Sequence, residues 1–353
     1  MTTPPRNPQN VGELTDLRAV PFDAELTPGA RNAVVDCLRI QAAEKVTLIT
    51  DLATLEIGAS IAHQLDLLGA PHHSYVLEEC AERPLKQLPA EILADLETSQ
   101  VSIFAVKVQR DELCSRMQMT EVVNRRKIRH AHMVNINRRI MMEGMRADYL
   151  KVDRISSKVL ALVQPARTIR ARTNAGTDIT ADLNPGYKWL KTSGIISPDK
   201  WGNLPGGEVF TTPGEVNGVF VVDGVVGDYL CAKFGNLREH PLTLQIRNNR
   251  LTGAASSNQD LEKDFWDYTH TDENSDRVGE FAIGTNIELV GVIGEILQDE
   301  KFPGIHIAFG NPYGEHTGAQ WGSSTHIDVV GTGFDIWVDD HLIMQQGRFL
   351  IEP

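Results

Sequence analysis

Two kinds of apolar segment alternate along the first third of the chain, and this alternation restricts the fold more than any other feature. Residues 45–51 form a short, compact apolar run, whereas apolar residues recur at helical spacing over 55–68. Further apolar runs at 74–77 and 101–108 flank a predicted helix near 90–96. Strands that alternate with helices predict a parallel sheet with helices packed against it, which is an α/β fold.

The second half of the chain is rich in predicted strands and is punctuated by Gly and Pro. Residues 168–173 and 178–183 flank a turn that contains Asn and Gly, and they predict a hairpin. Strand patterns follow further along the chain and are clearest at 218–223, 242–247 and 334–338. This half therefore predicts a β-rich α+β architecture.

The length of 353 residues suggests two domains, on a prior of roughly one domain per 100–200 residues. We predict an α/β domain at residues 1–190 and a β-rich, metal-binding catalytic domain at residues 191–353. The first domain would open with a proline-rich tail, which we expect to be disordered. It would include a helix at 32–43 and one or two helices at 141–162.

Composition and charge exclude several classes of protein. The net charge of −13 repels polyanions, so we expect no nucleic-acid partner. No apolar run approaches the roughly 18–20 residues of a membrane span, and the first residues lack an export signal. We therefore expect a cytoplasmic protein without membrane contact. The cysteines are too widely separated for a zinc knuckle or a disulfide framework, and no glycine-rich nucleotide-binding motif follows a predicted strand.

Acids and histidines that suit a divalent metal are concentrated towards the C-terminus. In the segment His326-Ile327-Asp328, the alternation of a strand turns both polar side chains to one face. The candidate ligands lie in apolar or glycine-rich surroundings, where an unpaired charge costs several kcal/mol unless a cation or a partner compensates it. They are Glu208, Glu280, Glu300, His306, His326 and Asp328.

Five blocks of sequence resemble the M29 metallo-aminopeptidases of the aminopeptidase T type. The blocks occur in the order of that family and near its spacing, and they cover the chain from about residue 203 to the end. The first domain resembles the family only in general layout. The blocks are residues 204–213, 279–286, 299–300, 306–310 and 326–328.

The resemblance implies a centre with two divalent ions, for which Zn, Co and Mn are all suitable because the ligands are oxygen and nitrogen. It implies that the six side chains hold one ion between Glu208, His326 and Asp328 and the other between Glu300 and His306, with Glu280 as the bridge. Two ions can share a water, lower its pKa and polarise a carbonyl group. The implied activity is hydrolysis of an amide or peptide bond.

The resemblance also implies roles for residues beyond the ligands. Tyr313 falls where the family has a catalytic tyrosine, and it would donate a hydrogen bond to the developing oxyanion. His316, in the following loop, is a candidate substrate contact. By the same resemblance, we expect a homodimer whose substrate is a short peptide or a small amide.

The chain departs from the family's pattern beside the predicted metals. One extra residue lies between Glu300 and His306, in the segment 301–305, and the loop 314–322 is distinctive. These departures leave a peptide, a small amide and a cyclic compound open as substrates.

Two other functions compete with hydrolysis. The chain has a more distant resemblance to the 2,5-dihydroxypyridine dioxygenases, which hold a single Fe(II) with two histidines and one carboxylate. In such an enzyme, His326 and Asp328 would be ligands, a histidine would replace Glu280, and the acid at Glu208 would be lost. The chain keeps both acids, which favours hydrolysis. A non-catalytic binding protein is the third alternative.

Overall fold

The structure is a computed structural model that describes residues 15–109, 111–199 and 201–353. The start of the predicted disordered tail, residues 1–14, lies outside the described residues. Across the described ranges, no helix has both the length and the apolar character that crossing a membrane requires.

The strands of the described residues form three sheets. In chain order, the strands are β1 (Val46–Thr50), β2 (His72–Val76), β3 (Val101–Val106), β4 (Arg129–Val134), β5 (Thr168–Arg172), β6 (Asp178–Asp182), β7 (Leu190–Thr192), β8 (Gly202–Asn203), β9 (Glu208–Thr211), β10 (Glu215–Val222), β11 (Leu242–Arg247), β12 (Arg250–Ser256), β13 (Val278–Gly284), β14 (Gly304–Gly310), β15 (His326–Val330), β16 (Asp335–Val338), β17 (His341–Gln345) and β18 (Arg348–Phe349).

Helices cover the parallel sheet and connect the strands. The α-helices of the described residues are α1 (Thr27–Arg31), α2 (Leu55–Leu68), α3 (Leu77–Cys80), α4 (Ala90–Leu96), α5 (Leu113–Arg126), α6 (Arg138–Met142), α7 (Tyr149–Val163), α8 (Asp228–Phe234), α9 (Gln259–Tyr268), α10 (Ile296–Asp299) and α11 (Gly314–Thr317). Shorter helical segments are a π-helix at Asn32–Cys37 and 3-10 turns at Leu17–Ala19, Ala24–Leu26 and Gly144–Arg146.

The first sheet is parallel throughout and has the order β2-β1-β3-β4-β8. Strands β1 and β3 are buried along their whole length, because helices cover both faces of the sheet. Neighbouring residues of β1 show this: Leu48 packs in one apolar cluster with α2, and Ile49 packs in another with α4 and α5. The predicted parallel α/β layer is confirmed.

Two antiparallel sheets form the β-rich part of the molecule. One has the order β12-β11-β10-β6-β5-β16-β17-β18, and the other has the order β15-β14-β13-β9-β7. One apolar cluster joins them: Phe220 and Phe334 belong to the eight-stranded side, Phe281 and Phe309 to the five-stranded side, and Val159 of α7 packs with both. The predicted β-rich α+β architecture is confirmed.

Strand pairing crosses the predicted domain boundary at residue 190 in both directions. The hairpin of β5 and β6 forms as predicted, but it pairs with β10 and β16 in the eight-stranded sheet. Conversely, β8 extends the parallel sheet beside β4. A division at residue 190 therefore separates strands that share a sheet, and the two-domain division stays a prediction.

Candidate metal centre

Five of the six predicted ligands lie on one face of the five-stranded sheet. Alternate residues of a strand point to the same face, and paired residues of adjacent strands share a face. The opposite face carries large apolar residues that pack in the core, such as Phe281, Ile307 and Val329. The five ligands are Glu208 on β9, Glu280 on β13, His306 on β14, and His326 and Asp328 on β15.

Small residues on neighbouring strands make room for these polar side chains. Each of the five candidates pairs with a glycine or an alanine on one adjacent strand, which leaves space on that side of the polar side chain. The pairs are Glu208 with Gly284, His306 with Ala282, both Glu280 and Asp328 with Ala308, and His326 with Gly310.

Glu208, Glu280 and His306 form the tightest group of candidate ligands. One ligand atom from each lies within 4.8 Å of the others. His306 Nε2 lies 3.3 Å from Glu208 Oε2 and 3.5 Å from Glu280 Oε1. All three residues are buried, with exposed fractions of 6%, 6% and 1%. We call this group the ligand triad.

His326 and Asp328 extend the triad on its other side. His326 Nε2 lies 3.5 Å from Asp328 Oδ2 and 4.0 Å from Glu280 Oε2. His326 Nδ1 is 2.9 Å from the carbonyl oxygen of Asn311, which only accepts, so Nδ1 carries the proton and donates. Nε2 is thus left as the nitrogen that can bind a metal, which is the usual arrangement of a metal-binding histidine.

The triad contains a buried polar atom that fits a cation. Among the described residues, His306 Nε2 has no hydrogen-bond partner, although two carboxylate oxygens lie nearby. A buried ring nitrogen without a partner is costly, and a divalent ion would bind it together with both carboxylates. Neutral imidazole and carboxylate are ligands of Zn, Mn, Co and Fe(II). The residues therefore fit a divalent metal.

The two imidazoles show how strongly negative this region is. Burial lowers the pKa of a histidine, yet Glu208 and Glu280 raise the pKa of His306 to about 10. Burial likewise opposes the charge on His326, but Asp328 and Glu280 raise its pKa to about 10. A metal that binds these rings displaces their protons, so metal binding releases protons.

The acids respond to burial in different ways. Burial raises the pKa of Glu280, and it raises the pKa of Glu300 to about 8 although Lys301 acts in the opposite direction. For Glu208, the positive charges of Lys301 and His306 outweigh burial and hold the pKa well below its usual range. Negative charge is thus concentrated at Glu208, beside His306.

Glu300, the sixth predicted ligand, is paired with a lysine. It follows α10, and its Oε1 lies 2.5 Å from the Nζ of Lys301. The same ammonium lies 2.8 Å from Glu208 Oε2. Lys301 is only 1% exposed. The sequence reasoning missed this lysine, although it lies in the segment 301–305 that departs from the family's pattern.

The structure shows which of the predicted ligands are neighbours, and their division between two ions stays a prediction. Glu208 was expected to share an ion with His326 and Asp328, but it lies against His306. The reason is the strand order: β9 and β14 flank β13, whereas β15 lies beyond β14. At a usual strand spacing of about 4.8 Å, strands β9 and β15 are roughly 14 Å apart across the sheet. The register separates the two residues further, because Glu208 is level with Gly284 of β13 and Asp328 is level with Glu280. The two oxygens of Glu280 do face different histidines, as a bridging acid would.

Tyr313 lies beside the extended cluster. Its ring centroid is 4.7 Å from that of His326, and the residue is 43% exposed. Partial burial and the charges of Glu280 and Asp328 raise the pKa of the phenol well above its usual range. The phenol therefore keeps its proton and can donate it in a hydrogen bond. His316, in α11 just after Tyr313, is exposed, and its substrate contact stays a prediction.

A buried cluster of carboxylates and imidazoles on a sheet face, beside a parallel α/β layer, defines a metal-binding α/β protein. A family model described as thermophilic metalloprotease (M29) matches residues 151–333, more than half of the chain. The chain belongs to this family. No curated protein matches the sequence.

Two solved structures share the fold over nearly their whole length. The 2,5-dihydroxypyridine dioxygenase from Pseudomonas putida KT2440 has 16% identity and a TM-score of 0.69, covering 94% of this chain and 98% of that one. Wild-type AmpT from Thermus thermophilus has 15% identity and a TM-score of 0.67, covering 93% and 99%. Both resemblances predicted from the sequence are confirmed, and at these identities they show the fold alone.

Proposed function

We propose that this protein is a metal-dependent hydrolase that cleaves an amide or peptide bond at the ligand triad. The observation that carries the proposal is the buried, unpartnered Nε2 of His306 between the Glu208 and Glu280 carboxylates. Membership of the M29 family supports the same class of reaction. Glu208, Glu280 and His306 would hold the ion, with His326 and Asp328 as further ligands.

The residues around the triad have distinct tasks in such a reaction. A bound divalent ion supplies a Lewis acid that lowers the pKa of a water towards neutrality. Glu280, whose pKa is raised by burial, accepts the proton of the attacking water. Tyr313 donates a hydrogen bond to the oxyanion that develops on the carbonyl oxygen. Asn311 fixes the orientation of His326 through its carbonyl group.

The alternative as a dioxygenase is less well supported by the site. That reading expects a histidine at position 280 and no acid at position 208. Both acids are present, buried and directed at His306. The homodimer, the cytoplasmic location and the identity of the metal stay predictions.

The test is to purify the protein without added metal, determine its metal content, and assay aminoacyl and simple amide substrates with and without oxygen. The proposal expects hydrolysis that does not need oxygen, that disappears after chelation and that returns when metal is restored. Oxygen consumption with bound iron would instead support the dioxygenase. Bound metal without turnover in either assay would favour a binding protein.

A further inference from the structure

Lys301 lies inside the candidate metal centre rather than at its rim. Its ammonium contacts Glu208 Oε2 at 2.8 Å and Glu300 Oε1 at 2.5 Å. The residue is 1% exposed, and lysine is almost never fully buried unless it is paired. Two carboxylates from different parts of the chain pair with it here. The arrangement is that of a cation with two anionic ligands.

The backbone fixes the turn that carries Lys301 against the sheet. A Cβ atom at Gly284 would lie 2.0 Å from the carbonyl oxygen of Phe302, so only glycine permits this approach. Gly284 is also the residue that pairs with Glu208 across the strands. The same glycine therefore makes room for Glu208 and brings the backbone next to Lys301 close to it. This approach does not depend on the conformation of a flexible side chain.

We infer that the Lys301 ammonium takes the place of a second metal ion, so that the centre binds one divalent ion at Glu208, Glu280 and His306. This inference rests on the proposed function, because it takes the triad to be a metal site. It concerns the number of ions, which the family resemblance implies to be two.

Two observations support a single ion. In the arrangement that the resemblance implies, the ion at His306 would also use the lone pairs of Glu300, but that carboxylate is paired with Lys301 and lies outside the ligand triad. Among the described residues, only Glu208, Glu280 and His306 form a group of three or more ligand atoms that lie within 4.8 Å of one another.

The consequence is a centre with one exchangeable and one permanent cation. The ammonium has three N–H donors and no lone pair, so it cannot bind or activate a water as a metal does. Lys301 instead compensates the charge of Glu300 and holds Glu208 in position. Lys301 is thus a positioning residue, and a single ion at the ligand triad would supply the Lewis acid.

The experiment counts ions rather than turnover. Protein stripped by a chelator is titrated with Mn2+, freed from excess metal and assayed for Mn per chain, with the spectrum recorded by electron paramagnetic resonance. Wild type is expected to bind one ion per chain and to show isolated Mn2+. Lys301→Met, which removes the charge and keeps most of the volume, is expected to bind two ions with the exchange-coupled spectrum of a pair.

Lys45→Met is the matched control. Lys45 also pairs with a buried acid, Asp95, at 2.6 Å, but it lies at the parallel sheet. This variant should bind one ion, like wild type. If Lys301→Met does not fold by circular dichroism, Glu300→Gln serves instead and should still bind one ion, because Glu300 is not a ligand.

The number of ions bound by wild type and by each variant tests the inference. Two ions in wild type, a single ion in a folded Lys301→Met variant, or the loss of the ion in a folded Glu300→Gln variant would overturn the inference. The absence of any bound ion from wild type would overturn the proposed function, and with it this inference. A count of two therefore removes only the role of Lys301.

Discussion

Two buried clusters of acids, one in each half of the molecule, are built in opposite ways. In the parallel layer, Arg83 binds Asp51, Glu78 and Glu112 at 2.7, 3.0 and 2.6 Å. Backbone N–H groups also donate hydrogen bonds to these acids: those of Leu85 and Gln109 donate to Glu112, and that of Lys107 donates to Asp51. This cluster, which we call the Arg83 cluster, gives its carboxylates donors from both guanidinium and backbone.

The metal centre holds its acids with fewer donors. Glu208 receives bonds from the hydroxyl of Thr192 and from Lys301. Glu280 faces two imidazoles at 3.5 and 4.0 Å, distances too long for strong hydrogen bonds. We interpret the first cluster as structural, because donors satisfy its charges. We interpret the second as the proposed functional site, because Glu280 has no strong donor and its lone pairs can bind a cation.

The pKa values of Glu112, Glu280 and Glu300 show the same contrast, whereas Glu208 resembles Glu112 because Lys301 and His306 lower its pKa. Burial would raise the pKa of Glu112, but Arg83 and the N–H groups of Leu85 and Gln109 outweigh it and lower the pKa to about 2. In the metal centre, burial raises the pKa of Glu280, and it raises that of Glu300 to about 8. Removing one member of each cluster should therefore have different consequences.

The largest expected effect is that of Glu280→Ala on catalysis. We expect activity to fall by more than the roughly 10²–10³-fold that the loss of one oxyanion donor causes, because Glu280 is both a ligand and the proton acceptor. Metal occupancy should fall as well, while thermal unfolding stays close to that of wild type. Full activity in this variant would remove Glu280 from the mechanism.

Arg83→Met should have the reverse pattern. It leaves Asp51 and Glu112 buried without their cation, which should lower the free energy of unfolding by about 3–5 kcal/mol. Denaturant titration measures this loss, and the metal content of the folded variant should equal that of wild type. A loss of metal without a loss of stability would mean that the two clusters are not separate.

Tyr313→Phe should affect turnover alone. We expect kcat to fall by about 10²–10³-fold, because one donor to the oxyanion is removed. Metal content and stability should not change, since the ring beside His326 is retained. An unchanged kcat would show that another group stabilises the oxyanion.

The smallest expected effect is the response of the Arg83 cluster to acid. A carboxyl whose pKa is lowered on folding contributes stability that is present above the unfolded value, near 4.3, and is lost as the pH falls towards the folded value. For Glu112, with a pKa of about 2, the loss falls between roughly pH 5 and 2 and amounts to about 2–3 kcal/mol. Glu112→Gln should flatten this part of the stability curve, and an unchanged slope would contradict the assignment.

Much of the fold could be predicted because its patterns are local. Helix α2 and strand β11 have the predicted bounds, and the hairpin of β5 and β6 forms as predicted. The helix predicted at 32–43 was wrong at its end, because the π-helix stops at Cys37 and Arg39 has a left-handed φ of 49°. The order of the strands in the sheets could not be predicted from the sequence, because strands on either side of residue 190 pair with segments far away in the chain.

The positions of candidate ligands on one face of the sheet could be predicted where they follow from the alternation of side chains along a strand. The segments that carry Glu280, His306 and His326 each alternate polar or small residues with large apolar ones, and this pattern is visible in the sequence. Lys301 was not recognised, because a lysine in a turn normally lies in solvent. Its burial depends on the close approach at Gly284, which is a tertiary contact.

Anomalous X-ray scattering from crystals soaked with Mn2+ would locate and count the bound ions directly. We expect one anomalous peak per chain, between Glu208, Glu280 and His306, and none at the Arg83 cluster. A second peak at Glu300 would contradict the role of Lys301 alone. The absence of a peak at the triad, with metal bound elsewhere or not at all, would contradict the proposed metal centre.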